Sequence, residues 1–133
     1  MGPGEPPQVS EGSSEHRLVL GGRFLEQVYK GTSMGMPFEG IGYTGYDNYK
    51  GKFVGTWMDN MGTMIMTSIG TYSPMNKTFN FTARMDDVVK GKEIEMRDVI
   101  RIIDRDNSIA EMFCPGPDGK EFKTMELIYK RKK

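Results

Sequence analysis

The sequence predicts an all-β fold, an antiparallel up-and-down meander of about eight to nine strands that curls into a barrel. Three observations carry that prediction. Short apolar runs alternate with turn signals roughly every 8 to 12 residues, the spacing of successive hairpins. No segment shows a capped amphipathic helix repeat. The chain holds 17 glycines, and several sit singly inside the apolar runs, where glycine permits the sharp bends of a small barrel.

Residues 1–14, MGPGEPPQVSEGSS, are rich in Pro, Gly and Ser. They are expected to be a flexible or extended segment, leaving a single barrel domain over 15–133. The first strand is Glu15 to Leu20, ended by Gly21-Gly22, a hairpin turn able to take positive φ. Arg23 to Lys30 follows, with Phe24, Glu26, Val28 and Lys30 alternating against Leu25, Gln27 and Tyr29. Phe38 to Tyr46 closes through Asp47-Asn48-Tyr49-Lys50-Gly51 into Lys52 to Asp59. Met64 to Tyr72 turns through Ser73-Pro74-Met75-Asn76-Lys77 into Thr78 to Met85, and Asp86 to Lys90 holds at most one helical turn. Glu93 to Ile103 turns at Asp104-Arg105-Asp106-Asn107 into Ser108 to Cys114. Pro115-Gly116-Pro117-Asp118-Gly119 then reverses the chain into Glu121 to Lys130. A meander of this length normally curls shut to remove its edges.

Composition narrows the functional classes. Lys+Arg and Asp+Glu each number 18 in 133 residues, a formal net charge of zero. That balance speaks against a nucleic-acid binder, which needs a basic face to displace phosphate counterions. The four-residue basic end, Lys130 to Lys133, reads as a solubilising terminus. The single cysteine, Cys114, excludes an internal disulfide and a Cys-rich zinc site. The N-terminal stretch has no apolar signal region, and no window approaches the ~18 apolar residues of a membrane span. The triplets Asn76-Lys77-Thr78 and Asn80-Phe81-Thr82 therefore carry little meaning as glycosylation sites, and a cytoplasmic location is expected.

Several motifs dissolve on inspection. Gly40-Ile41-Gly42-Tyr43-Thr44-Gly45 matches the dinucleotide-binding spacing, but that mechanism needs a helix N-terminus after the third glycine, and a turn and another strand follow instead. Asp104, Asp106 and Ser108 begin a calcium-loop pattern whose turn glycine and bidentate glutamate positions hold Ile109 and Pro115. The segment is an Asx-type hairpin turn. Met58, Met61, Met64 and Met66, with Met34 and Met36 upstream, suggest a soft-metal site, but the lone His16 lies elsewhere. Methionine filling core gaps or lining a pliable pocket is the simpler reading. No cofactor or metal is expected. His16 and Cys114 are too isolated to form a catalytic pair by sequence, so no catalytic residue is assigned.

The strand charges are more informative. In Glu93 to Ile103, Arg97, Val99, Arg101 and Ile103 share one face, and Ile94, Met96, Asp98, Ile100 and Ile102 share the other. In the last strand Met125, Leu127 and Tyr129 oppose Thr124, Glu126 and Ile128. The mostly apolar faces should point inward. A ligand-binding barrel also tolerates inward charges that orient a polar head group, and Arg97, Arg101, Glu111 and Glu126 are the candidates. The alternative is an exposed cross-strand charge ladder. Trp57, alternating with Gly55, reads as a core anchor or a pocket wall.

Taken together, several segments resemble a bacterial family known as domain of unknown function 1579. They are Leu20-Gly21-Gly22-Arg23-Phe24-Leu25, Met36 through Asn48, Thr56-Trp57-Met58-Asp59, Arg101-Ile102-Ile103-Asp104 and Glu111 through Phe122. The resemblance covers roughly Pro3 to Arg131. It implies a lipocalin-like, calycin-type barrel, and no reaction, cofactor or ligand. Members of that family usually carry a further strand, with a tryptophan, before the Pro-rich stretch. Its lack here implies an open edge beside the first hairpin, and a second copy covering that edge would make a homodimer.

The leading functional expectation is non-catalytic binding of a small hydrophobic or amphipathic molecule inside the barrel. Phe38, Trp57, Met66 and Tyr72 would line the apolar part, with Arg97, Arg101 or Glu126 meeting a polar group. The alternatives are an oligomerising module with a filled core, and an enzyme using an inward acid–base pair such as Glu126 with an arginine.

Overall fold

A computed structural model of the chain describes residues 8–10, 12–33, 35–87 and 91–131. It is all-β, and among the described residues no helix is long and apolar enough to cross a membrane. The strands are β1 (Gln8–Ser10), β2 (Gly12–Val19), β3 (Phe24–Ser33), β4 (Met36–Asp47) and β5 (Lys52–Asp59). They continue as β6 (Met66–Ser73), β7 (Thr78–Asp87), β8 (Lys92–Ile102), β9 (Asn107–Pro115) and β10 (Glu121–Lys130). All lie in one sheet, ordered β1-β10-β9-β8-β7-β6-β5-β4-β3-β2. From β2 onward every neighbour in the sheet is the neighbour in sequence, the pairing expected of an up-and-down meander.

The sheet curls until its first strand meets its last. β1 pairs with β10 in parallel, Gln8 opposite Met125 and Ser10 opposite Leu127, while Gly12 of β2 already pairs antiparallel with Gly31 of β3. Residue 11, outside the described residues, is all that lies between β1 and β2 in sequence, so neighbouring stretches of the chain pair at the two edges of the sheet. The parallel sense follows from counting. With β1 and β2 taken as one strand, the meander has an odd number of strands, so the first and last must run the same way. Gln27 of β3 reaches across this seam, its Nε2 donating to Tyr129 OH of β10 at 3.3 Å and to Ser14 Oγ of β2 at 3.1 Å. Residues 8–10 and 12–14, part of the stretch expected to be flexible, are thus paired strand. Pairing satisfies backbone groups that two sheet edges would otherwise expose. Residues 1–7, 88–90 and Met34 lie outside the described residues, including most of the single turn considered at 86–90; Asp86 and Asp87 belong to β7.

The first hairpin is longer than a two-residue turn. Val19 pairs with Phe24, and the loop carries positive φ at Leu20, Gly21 and Gly22 (53°, 75° and 82°). At Asp104, the carboxylate accepts from the Asp106 backbone N–H at 2.8 Å and from Asn107 Nδ2 at 2.8 Å, closing the Asx-type turn.

Registers fix which side chains share a face, because paired residues project to the same side of a sheet. One face runs Tyr29, Gly40, Asp59 through Ala83, Met96 and Ala110, and holds most of the buried apolar residues. This is the inner face. A β-bulge between Lys123 and Met125 shifts the phase of β10, so Phe122 and then Met125, Leu127 and Tyr129 all project inward.

The glycines within strands take a more specific role than bending. Among the described residues the glycines with positive φ, Gly21, Gly22, Gly35, Gly51, Gly91 and Gly119, lie in turns or loops. Gly40 and Gly42 of β4 instead form a floor for the Trp57 indole. A Cβ on Gly42 would stand 2.9 Å from Trp57 Cε3, and one on Gly40 would fall on the ring itself. Gly70 clears space in the same way for the Phe81 ring, at 2.6 Å. The Gly40-to-Gly45 pattern is therefore mid-strand, packed against an aromatic ring, with no helix following it.

Candidate functional site

The inner face combines aromatic surface with solvent access. Tyr46 and Phe53 meet edge to face at 5.0 Å between ring centroids, Phe53 and Phe79 at 5.4 Å, and Tyr72 lies tilted on Phe79 at 4.5 Å. Phe79 and Phe81 stack at 6.2 Å. Alternation in β5 and β7 places these rings on one side, and cross-strand pairing brings Tyr46 opposite Phe53 and Tyr72 opposite Phe79. Such a cluster normally seals a core, yet Tyr72 remains 38% exposed and Tyr46 52%. Phe38, Phe53, Trp57, Met66 and Phe79 are half-buried. No described side chain is fully buried.

Of the residues expected to bind a ligand, Phe38, Trp57, Met66 and Tyr72 all project to this inner face. Phe38 packs on Tyr29 at 5.8 Å, and Met66 pairs directly with Trp57. Trp57 is held by its own neighbour, Nε1 donating to Asp59 Oδ2 at 2.9 Å.

The three charged candidates do not join them. Arg97, Arg101 and Glu126 lie on the outer face, as does Glu111, so their grouping with the aromatic residues is corrected. The reason is alternation: each stands one residue out of phase with the inward Met96, Asp98, Ile100 and Leu127. Outside, they form the charge ladder. Arg97 Nη2 meets Glu121 at 2.7 Å and its guanidinium lies over the Phe113 ring at 4.4 Å. Arg101 meets Glu111 at 2.8 Å, Lys123 meets Glu111 at 2.6 Å, and Lys123 meets Glu126 at 3.6 Å. The Lys123 hydrogen bond, followed by the field of Arg101, holds the Glu111 carboxyl below the ordinary range.

The polar groups that do face inward are different ones. Asp98 of β8 projects among Phe81 of β7 and Met112 of β9, its cross-strand partners, and Met96 and Ile100 of its own strand. Its Oδ1 is sealed from solvent with no hydrogen-bond partner, and burial pushes its pKa up to about 6. Tyr29 OH is likewise buried and unpartnered. Burial pushes the Tyr129 phenol up to about 12, with smaller contributions from Tyr29 and Asp98. His16 of β2 sits edge-on to Tyr129 at 6.3 Å, and partial burial lowers its pKa. The signal for Asp98 was present in the sequence, a single carboxylate in the row Ile94, Met96, Asp98, Ile100, Ile102. Tyr29 and Tyr129 carried no comparable signal, because a tyrosine on an apolar face is ordinary.

Other candidates separate. Cys114 is half-buried, with Sγ 3.9 Å from Thr124 Oγ1, and burial raises its thiol pKa, the opposite of an activated nucleophile. Of the clustered methionines only Met66 faces inward; Met61 and Met64 are exposed in the β5–β6 loop and Met58 is on the outer face. Met66 is joined inside by Met85, Met96, Met112 and Met125 from later strands. Among the described residues no three His, Cys, Asp or Glu side chains converge in a metal-holding group. A depression of about 320 Å³ beside Met64, Ile65 and Met85 lies at the rim, next to Arg84 and Glu93, away from the aromatic cluster.

Comparison with known proteins adds one match. A family model described as "Protein of unknown function (DUF1579)" matches residues 1–131. No curated protein and no solved structure matches the chain.

Proposed function

The chain belongs to the DUF1579 family of proteins of unknown function, and from that premise we propose that it binds a small hydrophobic or amphipathic molecule on the inner face of its curled sheet without transforming it. One observation carries the reading: an aromatic inner face whose rings cluster at 4.5–5.4 Å is left partly open to solvent. Exposed apolar surface of this kind is costly, about 25 cal/mol per Å², and a ligand that covers it recovers that free energy. The pliable methionines on the same face suit a variable occupant. The acid–base pair considered for catalysis loses its footing, because Glu126 faces outward beside Lys123.

The test is titration with the neutral fluorophore N-phenyl-1-naphthylamine. The expected result is saturable, one-site enhancement of its emission with matching quenching of Trp57, and weakening of both by Tyr72→Glu. A linear, non-saturating response would overturn the reading.

A further inference from the structure

The inner face carries a charge pattern that selects among amphipathic ligands. Its described charged residues are Asp59, Asp98, and Asp87 opposite Lys92 at the β7–β8 end. Among the described strand residues no arginine projects inward. Asp59 is engaged by the Trp57 indole N–H and the Met61 backbone N–H. Asp98 has a sealed, unpartnered oxygen, and Phe81, Met112, Met96 and Ile100 around it offer no cation. His16 of β2 also faces inward, and partial burial disfavours its charged form. A buried carboxylate oxygen without a hydrogen-bond partner is a costly feature for a fold to retain.

Resting on the binding reading above, we infer that the ligand's polar end is a cationic amine, seated against Asp98 beside the Phe81 ring, and that a carboxylate-ended ligand is rejected. An ammonium supplies the hydrogen-bond donor and the charge that Asp98 lacks, and the face of an aromatic ring adds cation–π attraction. A carboxylate would face Asp98 with no inward arginine to meet it. The unpartnered hydroxyl of Tyr29 adds a polar group to the same interior.

Three ten-carbon probes with one tail and different heads test this at pH 7.5 by calorimetry: decylamine, 1-decanol and decanoate. The expected ranking places decylamine at least tenfold tighter than decanoate. Asp98→Asn should remove most of that advantage while changing 1-decanol affinity less than threefold. The wild-type ranking decides by itself if the variant does not fold. Decanoate binding as tightly as decylamine, or an amine preference that survives Asp98→Asn, overturns the inference and leaves binding itself standing. Failure of all three probes to bind overturns both.

Discussion

The Asp98→Asn substitution reads out the environment of the inner face directly, with no ligand present. Burial raises the Asp98 pKa from its ordinary 3.8 to about 6. The folded state therefore holds this proton more tightly than the unfolded chain. Its stabilising contribution is complete below about pH 4 and is lost as pH rises through about 6. At ~1.36 kcal/mol per pKa unit, the shift corresponds to about 3 kcal/mol of stability lost between those limits. Asparagine keeps the shape and removes the charge, so the variant should lack this pH dependence. Its net gain near pH 7.5 will be smaller than ~3 kcal/mol, because a buried amide without partners still costs about 1–3 kcal/mol. Urea unfolding followed by Trp57 fluorescence at several pH values between about 4 and 8 supplies the measurement. The variant-minus-wild-type stability difference should grow by about 3 kcal/mol from the acid to the neutral end. A difference that stays constant with pH would mean an ordinary, solvated carboxyl, and the inner-face argument would fail.

Three further outcomes are expected. Gly42→Ala should destabilise by about 1–3 kcal/mol, the usual cost of overpacking, and change the Trp57 emission maximum, since its Cβ would stand 2.9 Å from the indole; an unchanged midpoint in urea would contradict the floor-and-ring packing. Arg97→Ala and Glu126→Ala should leave N-phenyl-1-naphthylamine affinity within about twofold, because both side chains are outside, and a larger loss in either titration would show that the face assignment misleads about the site. Glu111→Ala should cost about 1–2 kcal/mol by removing charge-assisted hydrogen bonds; because the folded-state pKa is held below 4.5, this stability is present above that pH and fades as pH falls, so acid titration of the two proteins should converge.

Most of the strand order was legible because the signals are local. Alternation in Thr78 to Met85 and Glu93 to Ile103, and turn residues such as Asp104 and Gly119, act over a few positions and need no knowledge of the rest of the chain. The inward placement of Phe38, Trp57, Met66 and Tyr72 followed from the same alternation. The placement of the charged candidates was read less well. Arg97 and Arg101 stand out of phase with Asp98 on the same strand, so period-two geometry already set them on the other face, whereas Glu126 is placed only by the register of β10 on β9. For the two arginines the sequence pattern contained the answer, and the expectation that inward charges of either sign orient a polar head group obscured it. The bulge at Thr124 and the pairing of Gln8–Ser10 with β10 were not legible at all. A bulge is set by what the neighbouring strand demands, and the seam joins the two ends of the chain, where no local pattern reports on the partner.

That seam has a kinetic consequence. Every other strand pair forms between sequence neighbours, so the meander can zip up hairpin by hairpin with short loops to close. The parallel pairing of Gln8–Ser10 with Met125–Leu127 brings together residues from opposite ends of the chain and carries by far the largest loop-closure entropy. During synthesis the first strand must also wait, one edge unpaired, until the last strand has emerged. Closure of that seam is thus expected to follow the hairpins, so the inner face is completed last.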